Sequence, residues 1–469
     1  MTTDLELSVV VSPPSVKPPI IDTARISWAT SLFYFGMLAG LYPLTFALQR
    51  VPRANQTGRL LGILIIIWSA ICASTAAVTS YKTLYVQRFF LGFFEGVIPA
   101  SFIIIISSYY TQEEQALRQS WWYSASPLFN IIGGGLNYGF SRVRGGDLKS
   151  WQYIYLFAGA LTFGFGVFCF FFAPSTPLTA WFLSEDERFA AVERLRKEQT
   201  GVRCSRIKME QVKESVTEDL AKTALVFIIM AAGYTINGAI TGFGPMIVST
   251  FNYTALEAIL FQFPLGGLGF LLMIGTGWVA TRYKDIRMIM VAGFCLPVIA
   301  GCVIIWKSEW SQVRAVTPVV GYTMTGFFCP VATLTMATAM SNVAGHTKKS
   351  FMSATIFVGY CVGNIVGPLM VVSETRAEHY PQLWLGLIIW YVFFSFFRSS
   401  LVRFVAVCTG TTRTDKDDPI PATSSAYLPP PRCISSWPGR TRKRNGPSWS
   451  LLLTLMRLPL NVPSWRFRI

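Results

Sequence analysis

The stretch "RFFLGFFEGVIPA", residues 88–100, decides how this chain is read. It lies inside an almost wholly apolar run, yet it carries an arginine and a glutamate with two glycines and a proline around them. In a helix, seven residues make two turns less about 20°, so Arg88 and Glu95 share one face about 10 Å apart along the axis. Gly92 and Gly96 lie on the same side at four-residue spacing, which lets a second helix approach closely, and Pro99 loosens the backbone beyond them. The charged face therefore points into a helical bundle and not at lipid.

The surroundings require such a bundle. The chain has 469 residues, 52% hydrophobic and 14% charged, with a mean hydropathy of +0.45, where a soluble protein carries roughly 25% charged residues. The apolar residues gather in blocks of bilayer-spanning length. Eleven blocks are predicted to span, at about 26–48, 60–79, 84–108, 120–140, 151–173, 223–249, 258–280, 288–306, 315–339, 351–372 and 383–401. The fold class is thus all-α and polytopic.

Domain organisation follows from the spacing of the blocks. Residues 1–25 form a short polar N-terminus without the basic-then-apolar order of a signal peptide. Residues 26–173 form a first helical half, 174–222 a hydrophilic central segment, 223–401 a second half of six spans, and 402–469 a basic tail read as disordered and cytoplasmic. In the central segment, Ser184 and Glu187 have capping-box spacing, Phe189, Val192 and Leu195 make an apolar stripe, and Gly201 is placed to close the helix.

Charge sets the orientation. Loops on the side of the central segment hold 18 Lys and Arg, and the opposite loops hold seven. That asymmetry puts the central segment and the tail in the cytoplasm. Half of the net charge of +16 belongs to residues 402–469, so basic loops facing an anionic leaflet explain it and nucleic acid is excluded as a partner. The nine cysteines have no framework spacing and read as packing residues. Neither a metal nor a cofactor is implied.

Two readings of the charged face stand at this point. Arg88 and Glu95 can form a structural pair with each other or with a neighbouring helix. Alternatively, Arg88 is the fixed cation for a substrate carboxylate, which a guanidinium grips with two parallel hydrogen bonds, and Glu95 is the carboxyl that takes and releases a proton. Glu95 is the sole acidic residue that the sequence places well inside a span.

Other intramembrane polar residues are Asn130, Asn137, Asn237, Gln262, Tyr360 and Asn364. Each serves either as interhelical glue or as a ligand contact. Asn237 ranks first among them, because the glycines of "GYTINGAITGFGP" (233–245) predict a helix broken near the membrane centre, as at carrier binding sites. Gln262, Tyr360 and Asn364 join it as candidate substrate contacts. Gly92, Gly96 and Pro99 are candidate packing or gating residues. "SNVAGHTKK" (341–349) reads as a cytoplasmic turn in which His346 is a loop donor and Lys348 and Lys349 snorkel to head groups, with a gating or anchoring role.

These stretches together carry a resemblance. "RFFLGFFEGVIPA", "APSTPLTAWFLSEDER" (173–188), "SNVAGHTKK" and "GYCVGNIVGP" (359–368) resemble, in this order, segments of the anion:cation symporter family of the major facilitator superfamily, in its fungal allantoate permease-like branch. The likeness runs from about residue 26 to about 401. It implies a monomeric alternating-access carrier of twelve helices that takes a small organic anion inward with protons, with Arg88 meeting the anion and Glu95 coupling to protons. The plasma membrane is the expected location. Against that plan this chain has about eleven spans, the first having no counterpart.

The competing functions are an intramembrane enzyme, for which no catalytic pair or metal set occurs in the spans, and a transport-inactive sensor or receptor on the same fold. A truncated, non-functional gene product is a further alternative.

Overall fold

A computed structural model of the chain describes residues 24–392, apart from 51–55, 143–147, 175, 197–206, 218, 284–285, 309–314, 344 and most of 250–259 and 372–378. It also describes Leu5, Val9–Val10 and Ile21–Asp22, the last four residues forming a two-residue antiparallel ladder.

The first half contains α1 (Ala24–Arg50), α2 (Gln56–Ser74), α3 (Tyr81–Glu95), α4 (Val97–Tyr109), α5 (Gln112–Tyr123), α6 (Ala125–Ser141) and α7 (Ser150–Phe172). The central segment adds α8 (Glu185–Arg196) and α9 (Met209–Thr217). The second half contains α10 (Leu220–Ser249), α11 (Gln262–Arg282), α12 (Arg287–Lys307), α13 (Val316–Met324), α14 (Phe328–Ser341) and α15 (His346–Leu369), followed by the shorter apolar helix α16 (Pro381–Val392).

Among the described residues, nine helices are long and apolar enough to cross a membrane. They include α3 with α4 as one span, Tyr81–Tyr109, and α13 with α14 as another, Val316–Ser341. Of the other two expected spans, residues 120–140 fall on α5 and α6, which meet at Ser124. There the polar sequence of α5, "QEEQALRQSWWY", dilutes the apolar run. The span expected at 383–401 begins as α16, and its residues from 393 on lie outside the described part, as do the tail and Gly201.

Burial explains the layering. Helix α7 leaves Phe157, Leu161, Phe165, Phe168 and Phe171 exposed, which suits a helix hydrophobic all round and facing lipid. Helices α14 and α15 are instead mostly buried, at the centre of the bundle. Within the halves, α1 packs on α3, α2 on α7 and α10 on α15. Between the halves, α1 packs on α15, and α5 and α6 pack on α11.

Glycines set these approaches. A Cβ on Gly92 would collide with the carbonyl of Phe33, and one on Gly96 would stand 2.8 Å from Cγ of Met37. On α1, Gly36 and Gly40 meet the carbonyls of Phe89 and Phe93 in the same way. The α1–α3 contact is therefore an interleaved pair of small-residue stripes, and the expectation for Gly92 and Gly96 extends to Gly36 and Gly40.

The second half corrects one expectation. Helix α10 runs unbroken from Leu220 to Ser249, so the glycines of 233–245 do not interrupt it. Gly238 instead brings α10 against α15, where a Cβ would lie 2.7 Å from Cα of Asn364. The glycine is used for helix contact.

The central segment carries two helices, one more than expected. Ser184 and Glu187 form the capping box, with the Ser184 amide donating to Oε2 of Glu187 at 2.9 Å and the Glu187 amide donating to Oγ of Ser184 at 3.4 Å. Along the stripe, Leu195 is buried while Phe189 is exposed.

Candidate functional site

Helix α3 ends at Glu95 and α4 begins at Val97 because of Pro99. Proline has no amide hydrogen to return to the carbonyl four residues earlier, and that carbonyl belongs to Glu95. Gly96 keeps helical dihedrals, so the axis continues through the interruption. Glu95 thus sits at the middle of the 29-residue span Tyr81–Tyr109, at a gap in its hydrogen-bond ladder.

Its carboxylate accepts a hydrogen bond from Nε1 of Trp68 on α2 at 3.1 Å. Arg88, about two turns nearer the start of the span, donates from Nη2 to the hydroxyl of Tyr155 on α7 at 2.9 Å, its guanidinium 5.8 Å from that ring's centre. No ion pair joins Arg88 to Glu95 among the described residues. Both are half-buried and each hydrogen-bonds to a neutral partner. Of the structural reading, the geometry presents contacts with neighbouring helices, α2 and α7, and not a mutual pair.

A cavity of about 280 Å³ lies between the halves. From α5 and α6 it is lined by Tyr123, Ser126, Asn130 and Asn137, and from the second half by Tyr234, Asn237, Gln262 and Tyr360. Its polar side chains are neutral carboxamides and hydroxyls, together with the thiol of Cys329. Asn237, Gln262 and Tyr360, expected as substrate contacts, are thus brought together on one wall. Asn364 is not on that wall. It is fully buried behind it, accepting from Nδ2 of Asn237 at 2.8 Å and donating to the carbonyl of Tyr360 at 2.8 Å. Gln262 donates to the hydroxyl of Tyr322 at 2.7 Å. Arg88 and Glu95 do not line this cavity. On the α6 side, Gly135 and Gly139 have no atom within 4 Å of a would-be Cβ.

The cavity lies toward the end of the bundle opposite the central segment, where Asn137 and Gln262 stand. At the other end the halves are clasped. Gln49 Nε2 donates to Oγ1 of Thr347 at 2.8 Å, Tyr42 and Thr355 share a hydrogen bond of 3.2 Å, and Ser353 donates to the carbonyl of Ala100 at 3.0 Å.

Beside this clasp the expectation for the two lysines fails. Lys348 and Lys349 are 8% and 7% exposed, so neither snorkels. The ammonium of Lys348 lies 2.6 Å from Glu214 on α9 and pairs also with Asp219. Lys349 Nζ is buried without a hydrogen-bond partner among the described residues. The cause is α9, whose docking covers the turn: the Lys208 amide donates to Thr347, and Gly345, at φ +95°, lies against the Gln211 side chain. The side chain of His346 lies outside the described residues, while its backbone opens α15.

Sequence reasoning missed Trp68, Tyr155 and the tyrosines Tyr34, Tyr123 and Tyr234. Gly36 and Gly40 carried a signal, the four-residue glycine spacing of "GMLAG". The aromatic partners carried none, because an apolar span is rich in aromatics wherever it faces.

Two helical halves clasped at one end, with a polar cavity between them toward the other, define a multi-pass integral membrane transporter. The sequence matches the Major Facilitator Superfamily over residues 5–368, and the chain belongs to that superfamily. It is 32% identical over 359 residues to the uncharacterized transporter C757.13 of Schizosaccharomyces pombe, covering 76% of this chain and 67% of the relative. It is 27% identical over 369 residues to the allantoate permease of Saccharomyces cerevisiae, covering 76% and 66%. The chain thus spans about two thirds of the length of these relatives. Its fold is similar to that of the proton:xylose symporter XylE, with a TM-score of 0.61 at 12% identity, over 82% of this chain and 86% of the other.

Proposed function

We propose that this protein is a proton-coupled carrier that takes a small organic anion across the plasma membrane by alternating access, as a monomer and without a cofactor. The observation that carries the reading is the α3 pair. Arg88 is an intramembrane cation whose one hydrogen-bond partner among the described residues is a phenol, which leaves most of its N–H donors for a carboxylate. Glu95 is a mid-span carboxyl with only an indole as hydrogen-bond partner among the described residues, free to cycle between protonated and ionised forms.

An isolated charge in the membrane interior is held at an expense of several kcal/mol, so its presence marks a task. The neutral cavity between the halves suits the uncharged body of such a substrate, its amides and hydroxyls offering both donors and acceptors. The likeness to a yeast allantoate permease makes allantoate, or a carboxylated vitamin or nutrient, the first substrate to try. The substrate leaves unchanged, so the chain is a carrier and not an enzyme.

The test is uptake of labelled allantoate by cells lacking their own permease, at mildly acidic and at neutral pH. Unlabelled nicotinate and pantothenate serve as competitors. Acid-stimulated uptake, lost in both Arg88→Ala and Glu95→Gln, is expected. Binding without uptake would favour a transport-inactive receptor instead.

A further inference from the structure

Two helix faces run from the cavity into the clasped end. On α5, Gln115, Gln119 and Tyr123 are spaced four residues apart and share a face. Tyr123 lines the cavity, and Tyr234 donates to its hydroxyl across the halves at 2.6 Å. The start of α5 lies at the central-segment end, where Arg194 of α8 pairs with Glu114 and donates to the carbonyl of Tyr109. On α15, Lys349, Ser353, Ile356 and Tyr360 share a face in the same way. Tyr360 lines the cavity, its ring 5.9 Å from that of Tyr34 on α1. Ser353 is closed against the carbonyl of Ala100 on α4. Lys349 stands one turn further, about 16 Å from Tyr360 along the axis.

Both faces carry polar atoms that are buried without a partner among the described residues. They are Oε1 of Gln115, both amide atoms of Gln119 and the ammonium of Lys349. The α5 atoms lie at the boundary between the halves, since α5 packs on α11 and α14. The neighbouring Ser120, whose hydroxyl is likewise unpartnered, would stand 2.5 Å from a Cβ on Gly277 of α11. An unpaired buried polar atom costs stability, and an unpaired buried charge costs most. With this end shut, these atoms contribute nothing to the fold. Water satisfies them once the halves part here.

We propose that these two faces are walls of the substrate's exit path, shut in this structure, and that Lys349 is its anion site, the cation that meets a small carboxylate when the halves part at the central-segment end. The identity of the ligand rests on the organic-anion reading given above, while the path does not. No charged residue lies between Tyr360 and Lys349 on α15, so Lys349 is the first charge on that face for an anion leaving the neutral cavity. Its three N–H donors are unused, and it gives up no partner to bind. The adjacent Lys348 is already neutralised by Glu214 and Asp219. Gln115 and Gln119 supply amide donors and acceptors for the rest of the substrate.

The experiment uses the full chain. Lys349→Met removes the charge and keeps an unbranched side chain, so the melting temperature in detergent is expected to rise. For labelled allantoate, kcat is expected to fall about tenfold while KM from the outside stays within about twofold, because Lys349 is shut away when substrate enters. Lys349→Arg should recover most of the kcat. Parent-like kcat in Lys349→Met would overturn the anion site. A lowered melting temperature would also overturn it, by showing a lysine that is paired and structural.

The path is read without any substrate, in membranes opened so that the reagent reaches both sides. Gln119→Cys is expected to react with a water-soluble maleimide, above the background of the parent, about tenfold faster than Val298→Cys, which is as buried but lies in the core of the second half. Labelling of Gln119→Cys as slow as that of Val298→Cys would overturn the path whatever the transport. Fast labelling in a parent that moves no allantoate would sink the substrate reading and keep the path. The anion site would then stand or fall with the melting temperature of Lys349→Met.

Discussion

Trp68 donates its indole N–H to Oε2 of Glu95 at 3.1 Å, joining α2 to the midpoint of the neighbouring span. This is the carboxylate's one hydrogen bond among the described residues, and hydrogen bonds to charged groups contribute about 1.5–3 kcal/mol. Trp68→Phe keeps an aromatic ring in place and removes the donor. Thermal unfolding in detergent is expected to show a loss that is larger at neutral pH than in acid, because an ionised carboxylate depends on the donor more than a protonated one. An equal loss at both pH values would mean that Trp68 contributes packing alone.

Arg88 gives a sharper contrast. Arg88→Lys keeps the positive charge but loses the planar fork that grips a carboxylate in two places. KM for the transported anion is expected to rise about tenfold or more, which corresponds to about 1.4 kcal/mol or more. Tyr155→Phe, which removes the Arg88 partner without touching the charge, is expected to raise KM by less. A lysine variant with unchanged KM would show that Arg88 does not meet the carboxylate.

Nine of the eleven span positions were legible in the sequence, because lipid imposes a minimum apolar length on each block. Residues 120–140 mark the limit of that logic, since α5 and α6 split where polar residues line the contact with α11. The span-four face was legible for a related reason. A charge such as Arg88 or Glu95 is conspicuous against an apolar background, and Gly92 and Gly96 show close approach by spacing alone.

What could not be read were partners across helices. Nothing in the sequence ties Trp68 to Glu95, Tyr155 to Arg88, or Tyr123 to Tyr234. Asn237 shows the same limit from the other side: its glycine neighbours fit a broken helix and a close contact equally well, and only the position of α15 decides between them. Lys348 looked like a snorkelling lysine because the carboxylates of Glu214 and Asp219, which neutralise it, lie more than 120 residues earlier in the chain.

The α1–α3 stripe yields a stability prediction. Gly92 faces the Phe33 carbonyl, a backbone atom that cannot swing aside, and Gly36 faces that of Phe89. Gly92→Leu is expected to destabilise the chain by about 1–3 kcal/mol or more through overpacking, lowering the melting temperature in detergent and the amount reaching the membrane. Substituting Gly135, which has open space around a would-be Cβ, should have little effect on either. Equal tolerance at both positions would contradict the close helix approach.

At the central-segment end, Lys348 holds α9 to the start of α15. Its side chain is 10% exposed, while those of Glu214 and Asp219 are 42% and 22% exposed, so solvent screens part of the attraction. Lys348→Met is expected to weaken the docking of α9 by about 1–2 kcal/mol. A thiol placed at Ser353, buried against Ala100 in the clasp, should then react faster with a water-soluble maleimide. An unchanged labelling rate would mean that α9 is held by the remaining contacts and that Lys348 does not keep this end closed.

The hydrogen bond from Asn237 to Asn364 links a cavity-lining side chain to one fully buried behind it. If Asn364 serves to hold Asn237 and Tyr360 in position, then the two asparagines act as a unit. Asn237→Ala and Asn364→Ala are each expected to lower transport, and the double variant should lower it little further. The interaction energy in a double-mutant cycle on kcat/KM should be about 0.5–2 kcal/mol. Asn364→Ala should also leave the edge-to-face pair of Tyr360 and Tyr234 less well placed, so its effect should fall on KM more than on the amount of folded protein. Additive losses would separate the residues, leaving Asn237 as a direct contact and Asn364 as ordinary helix packing.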